Sequence, residues 1–194
     1  MPVDLLAEGQ LDSVIGARLI RHLDLDLGTV YGRKGIDYIR AKVGGFNNAA
    51  HFQPILTLAD LGDTGTECAP EVVRIWLPSR RRYMLLRFAV NKIESWLLAD
   101  RANLARFLNV RQSLIPYDPD ILSDPKVVLL SLARRSRNRH LQRVLLPPDY
   151  STARQGPGYV SEMSVFVDRW WEVDAAAQNS QSLRRCVQAM RRIT

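Results

Sequence analysis

Two apolar runs of this chain end in acid, and a third is followed by one. They are Asp4-Leu5-Leu6-Ala7-Glu8-Gly9, then Ile55-Leu56-Thr57-Leu58-Ala59-Asp60-Leu61-Gly62-Asp63, then Tyr83 to Val90 ahead of Glu94. If the runs are neighbouring parallel strands, their carboxylates converge at the carboxyl edge of the sheet, where an open α/β fold places its site. Clustered carboxylates are hard oxygen donors, which suits Mg2+ or Mn2+. Grouped anions also raise one another's pKa unless a cation sits among them. The pattern therefore proposes a metal site without naming a substrate.

The elements that must position these acids follow from hydrophobic period and turn residues. Residues 3 to 7 predict a strand, Glu8-Gly9 a tight turn, and Leu11, Val14, Ile15, Leu19 and Leu23 a helix. A loop then leads through Tyr31-Gly32-Arg33-Lys34-Gly35 into a short amphipathic helix carrying Ile36, Ile39 and Val43, stopped by Gly44-Gly45. Ile55 to Ala59 is apolar apart from Thr57 and predicts a strand buried on both faces. A helix begins near Ala69-Pro70-Glu71, a third strand runs from about Tyr83 to Val90, and Lys92 to Ala99 follows as helix. Alternating strands and helices joined by short connections predict right-handed crossovers and an α/β fold with a mostly parallel sheet flanked by helices. Beyond Asp100 the spacing of Leu104, Phe107 and Leu108, of Val127 to Leu132, and of Val165, Phe166 and Trp170 is helical. The chain thus divides into an α/β core over 1–110 and a mainly helical C-terminal extension over 111–194, packed together as one compact domain. Pro116 to Pro125 and Leu146 to Gly158, rich in Pro, Asp and Gly, read as loops around the site.

The 194 residues suffice for one real core, and their 46% hydrophobic content is ordinary for a globular protein. Net charge is +7, and the excess is almost all arginine, the side chain that forks onto phosphate. That fits a polyanionic partner or a genome that favours arginine, and composition does not separate the two. The chain carries no long uncharged apolar segment, and Asp4 and Glu8 stand where a basic signal region would lie, so the expected location is cytoplasmic, with no membrane partner. Cys68 and Cys186 are far apart in sequence with no histidine at ligand spacing, which argues against a zinc site or a disulfide framework. His22, His51 and His140 accompany no nucleophile pattern, so serine or cysteine hydrolysis has no support.

Glu8-Gly9-Gln10-Leu11-Asp12, Asp60-Leu61-Gly62-Asp63 and Glu94-Ser95-Trp96-Leu97-Leu98-Ala99-Asp100 together resemble the Toprim-like proteins grouped as domain-of-unknown-function family 4276. The likeness runs nearly end to end, with Asp124-Pro125-Lys126, Gly156-Pro157-Gly158-Tyr159 and Ser180-Gln181-Ser182-Leu183 as later landmarks. It implies a small parallel-sheet domain in which a glutamate after the first strand and an acidic pair after a later strand hold magnesium. Its relatives in fold include topoisomerases, primases and the overcoming-lysogenization-defect nucleases. It further implies a metal-dependent nuclease acting on DNA or RNA as the effector of a bacterial antiviral, abortive-infection defence system. An ATPase encoded nearby is the implied partner, and a homo-oligomer is open. The alternative is a non-catalytic subunit that assembles with that ATPase and regulates it.

On this resemblance Asp60 and Asp63 are metal ligands, and Glu8 is a ligand or the general base. Asp12, one turn beyond Glu8 on the same helix face, either supports the ligands from behind or binds a second ion, and Glu94 is another metal ligand. The spacing departs from the usual Asp-x-Asp pair by one residue, which leaves Asp63 open as an ordinary turn or capping aspartate. Glu94 is alternatively a first-turn carboxylate favoured by the helix dipole, and Asp100 reads as the N-cap of a new helix. Lys126 contacts the scissile phosphate or the developing charge, or else is a solvated helix lysine. Arg33-Lys34-Gly35 is a basic loop able to hold phosphate, though it lacks the glycine-rich lead of a Walker motif. Arg134, Arg135, Arg137 and Arg139 form the densest basic stretch and are the candidate nucleic-acid track, together with Arg80 to Arg82 and Arg191-Arg192, unless they are solvated faces. Trp96, Leu97 and Leu98 are assigned to the core, and Trp170-Trp171 packs a helix with one ring left near the surface.

Overall fold

Four parallel strands form one sheet in the order β2-β1-β3-β4, where β1 is Val3–Ala7, β2 Leu27–Gly32, β3 Ile55–Asp60 and β4 Met84–Ala89. The computed structural model describes residues 1–193. From β1 the chain steps outward through helix α1 (Gln10–His22) to β2, then crosses back through α2 (Ile36–Ala49) to β3 on the other side of β1. Helix α3 (Ala69–Trp76) carries it on to β4. The strand order reverses between β1 and β3, so the carboxyl ends of these two central strands frame the switch-point crevice.

The alternation of side chains along each strand divides the core into two layers. Leu5 and Ala7, Leu56 and Leu58, and Leu85 and Ala89 face one way, into a cluster with Ile15 and Leu19 of α1. Leu6, Ile55 and Ala59, and Met84, Leu86 and Phe88 face the other way, against Ile39 and Val43 of α2 and Val72 of α3. Crossovers running in opposite directions therefore cover opposite faces, as right-handed connections require. Gly16 of α1 lets that helix sit close on the sheet, because a Cβ there would lie 2.6 Å from a methyl of Leu5.

The second half of the chain is helical: α4 (Glu94–Ala99), α5 (Arg101–Leu108), α6 (Pro125–Arg134), α7 (Arg139–Leu145), α8 (Tyr159–Arg169), α9 (Val173–Asn179) and α10 (Gln181–Met190). It shares the first apolar cluster, with Trp96, Leu97, Tyr159, Phe166, Trp171 and Leu183 buried beside the α1 layer. Helix α8 packs on α1, and α10 packs on β4. Trp171 is buried and donates its indole N–H to the Trp96 carbonyl at 3.1 Å, while Trp170 stays 41% exposed. Asp100 caps α5 by accepting from the Asn103 amide, as its sequence position predicts.

Two elements differ from expectation. Strand β2 lies where the sequence reads as loop. It is an edge strand, half exposed and containing Gly28 and Gly32, so it carries no continuous apolar run. Helix α2 does not stop at Gly44-Gly45 but continues to Ala49, because Asn47 beyond the glycines is anchored: it donates to the Ser79 carbonyl at 3.0 Å and accepts from the Arg81 amide at 2.9 Å. Each glycine costs a helix interior only about 1 kcal/mol, which such tertiary anchorage outweighs.

Candidate metal centre

The β1 strand ends at Ala7, which pairs in register with Leu58 of β3, so Glu8 emerges beside the end of β3. Asp60 is the last residue of β3, and a single 3-10 turn, Leu61–Asp63, folds Asp63 back over the same edge. One carboxylate oxygen each from Glu8, Asp60 and Asp63 lies within 4.8 Å of the others. Asp60 is buried, Glu8 half-buried and Asp63 exposed, so the cluster opens to solvent on the Asp63 side. The Asp60 amide donates to Glu8 Oε2 at 3.0 Å and fixes the glutamate against the strand end.

These three acids line a cavity of about 680 Å3 with Asp12, Glu94, Lys92, Lys126, Arg154 and Tyr159. Asp12 reaches it from a different position than the sequence predicts. Glu8 lies in the turn before α1, which starts at Gln10, so the two acids do not share a helix face. Gly9 gives Asp12 its room, since a Cβ there would lie 2.8 Å from Asp12 Oδ2. Glu94 opens α4, buried to 3% exposure, and accepts a 2.9 Å hydrogen bond from the Tyr159 hydroxyl. Lys126 stands in the first turn of α6, 3.7 Å from Glu94 and 4.8 Å from the centre of the Tyr159 ring. Asp124 caps that helix by accepting from the Val127 amide. The loops flagged over Pro116 to Pro125 and Leu146 to Gly158 do reach the cavity, through Asp124 and through Arg154 with Gln155.

The electrostatics are those of crowded anions. Burial pushes Glu8 up to about 7, with Asp12 and Asp63 adding to the rise and the Asp60 amide opposing it. Asp12 is raised to about 6, again mainly by burial and further by Glu94. Asp60 stands well above the ordinary carboxylate range through burial and the charges of Asp12, Glu94 and Glu8. Lys92 is the counterweight: its ammonium meets the two Asp63 oxygens at 2.7 and 2.6 Å and Asp60 at 3.5 Å. Burial lowers its pKa, yet these carboxylates outweigh burial and hold it above the ordinary lysine value.

The donors fit a hard divalent cation. They are oxygens throughout, and Asp60 Oδ1 and Asp12 Oδ1 are buried without a hydrogen-bond partner, an expensive state that ligation or protonation relieves.

Of the basic residues singled out in sequence, Lys126 lines this cavity, while Arg33, Lys34 and the Arg134 to Arg139 stretch do not. Arg33 and Lys34 are exposed on the loop after β2, on the same sheet edge. The Arg33 amide donates to the Ala7 carbonyl at 2.7 Å, the Gly35 amide donates to the Glu8 carbonyl at 3.0 Å, and Lys34 lies over the Tyr38 ring. Arg134, Arg135, Arg137 and Arg139 are exposed at the far end of α6, where Arg134 lies roughly 12 Å beyond Lys126 along the helix. Sequence reasoning missed Lys92, Arg154 and the role of Tyr159. Only their place in the fold marks them, because each comes from a loop or a distant helix.

What the fold and site together define is a parallel α/β sheet with an acidic, metal-competent pocket at its switch point. No protein-family model, curated protein or solved structure matches the chain. Among the described residues, no helix is long and apolar enough to cross a membrane.

Proposed function

We propose that this chain is a Toprim-like, metal-dependent nuclease that hydrolyses phosphodiester bonds of DNA or RNA, the effector of an ATPase-linked bacterial defence system. The supporting observation is the convergence of Glu8, Asp60 and Asp63 within 4.8 Å at the ends of the two central strands, a glutamate after the first strand and an acidic pair after a later one. Magnesium or manganese held by these three would polarise the phosphate and stabilise the leaving oxygen. Were the cation held by Asp60 and Asp63 alone, Glu8 beside them would be free to act as the general base toward water. Lys126 and Arg154, which line the same cavity, would supply positive charge for the phosphate oxygens. The buried Tyr159 hydroxyl holds Glu94 in place.

A second reading, a non-catalytic Toprim-like subunit that assembles with a partner ATPase, is favoured by one feature. The Lys92 ammonium already neutralises Asp63 and Asp60 and so does part of a cation's work. Nicking of supercoiled plasmid with and without Mg2+ or Mn2+, and with and without an ATPase encoded nearby, separates the two. Metal-dependent cleavage that Glu8→Ala and Asp60→Ala both abolish supports the nuclease. Cleavage surviving both substitutions removes the mechanism. Metal binding without cleavage under any of these conditions favours the regulatory subunit.

A further inference from the structure

The β4 strand ends the sheet: β3 pairs with one side of it, and no strand among the described residues pairs with the other. A second cavity, of about 470 Å3, lies along this open side. Its lining includes Leu86 and Phe88, which face the α3 layer, and also Arg87, which faces the α10 layer. A groove that touches both faces of one strand must straddle the strand's edge, where main-chain N–H and C=O groups stand unpaired. Its walls are Val73 and Leu77 of the α3 side and Ser182 and Arg185 of α10.

The charge here is uniformly positive. Arg80, Arg87 and Arg185 line the groove, and no acidic residue does. None of the three pairs with a carboxylate among the described residues. Arg87 is the telling one, because its Nε is buried and has no hydrogen-bond partner. A buried guanidinium donor without an acceptor is costly, and it leaves the Arg87 charge uncompensated beside the groove. The same charge disfavours a second copy of this chain, which would set this arginine edge against itself.

We propose that the open edge of β4 is the docking site for an extended, acidic segment of a partner protein, which adds to the sheet as a fifth strand. Main-chain bonds to the edge supply affinity, alternate apolar side chains enter the groove beside Phe88 and Val73, and carboxylates reach Arg80, Arg87 and Arg185. This site is separate from the acidic pocket and does not depend on its chemistry.

The test uses the whole chain and three capped heptapeptides: alternating glutamate and valine, alternating lysine and valine, and the glutamate peptide with alternate main-chain nitrogens methylated. The glutamate peptide is expected to bind, to shift the amide resonances of Leu86 and Phe88, and to lose at least tenfold in affinity when methylated. The exposed charge reversals Arg80→Glu and Arg185→Glu, which leave the fold unstrained, are expected to weaken the glutamate peptide at least tenfold and strengthen the lysine peptide. Absence of binding at about 1 mM peptide, a level that detects dissociation constants up to the millimolar range, overturns the proposal. So does equal binding of the methylated peptide, or indifference to charge reversal. Displacement of the glutamate peptide by a short DNA duplex, with the steep salt dependence of phosphate contacts, assigns the groove to nucleic acid and equally overturns it.

Discussion

Replacing Asp60 by asparagine should make the metal-free protein more stable and leave it unable to bind metal. The carboxylate oxygens of Glu8, Asp60 and Asp63 lie within 4.8 Å of one another. At an effective dielectric of about 20, two full charges at that separation repel by about 3.5 kcal/mol. Asp60→Asn removes two of these three repulsions, and with them the attraction of Lys92 at 3.5 Å, about 5 kcal/mol on the same scale, while the lost repulsions from Asp12 and Glu94 add to the relief. The net relief from the three acids and Lys92 is about 2 kcal/mol, and solvent reaching the exposed Asp63 reduces it to on the order of 1 kcal/mol. For a chain of this size that raises Tm by about 2–4 °C. Wild-type protein, by contrast, should gain about 2.7 kcal/mol from a divalent cation at a hundred times its Kd, and the variant nothing. Thermal unfolding at pH 8, with chelator and then with saturating Mn2+, reads both effects. A variant less stable than wild type in chelator, or one that keeps the full metal shift, would refute the picture of an anionic cluster balanced by a cation.

Metal-free protein should be more stable at pH 5 than at pH 8. Glu8 and Asp12 are raised to about 7 and about 6 from ordinary values of 4.5 and 3.8, so the folded state holds more protons between these limits; the stabilisation is complete below about pH 4 and is lost as pH rises through 6 to 7. Because the Glu8 proton must leave for ligation, Mn2+ affinity by calorimetry should tighten about tenfold from pH 6 to pH 8. Gly32→Ala should cost roughly 3 kcal/mol, since Gly32 has φ +95° and its added Cβ would collide with the Ala7 carbonyl oxygen. Gly44→Ala should instead stabilise by about 0.5–1 kcal/mol, because it lies within α2 and nothing stands within 4 Å of its added Cβ; denaturant unfolding measures both. Of the two thiols, exposed Cys68 should react promptly with a disulfide reagent. Buried Cys186, its thiol pushed up to about 12 by burial, should react only on unfolding.

Strands β1, β3 and β4 were legible because each is a nearly unbroken apolar run, the mark of a strand covered on both faces. Glu8 and Asp60 were legible because an acid that ends such a run must leave the core at the sheet's edge. The edge strand β2 was not, since half its side chains meet water and its glycines break the pattern. The reach of α2 was hidden for a related reason: Asn47 holds it through bonds to Ser79 and Arg81, more than thirty residues away. Asp12 was named as a candidate on a helix-face argument that the backbone does not follow. It joins the cavity through the turn at Gly9.

Local pattern thus determined the fold class, the run of elements apart from β2 and the end of α2, and the acids that close the β1 and β3 runs, because hydrophobic period and turn chemistry act over a few residues. Tertiary structure alone decided that Lys92 balances Asp63 and Asp60, that Tyr159 of α8 grips Glu94 of α4, and that the Arg134 to Arg139 stretch lies away from the pocket. Those relations depend on strand order and on helix packing between residues tens of positions apart. Charge and hydrogen bonding act across space, and no sequence spacing encodes that distance.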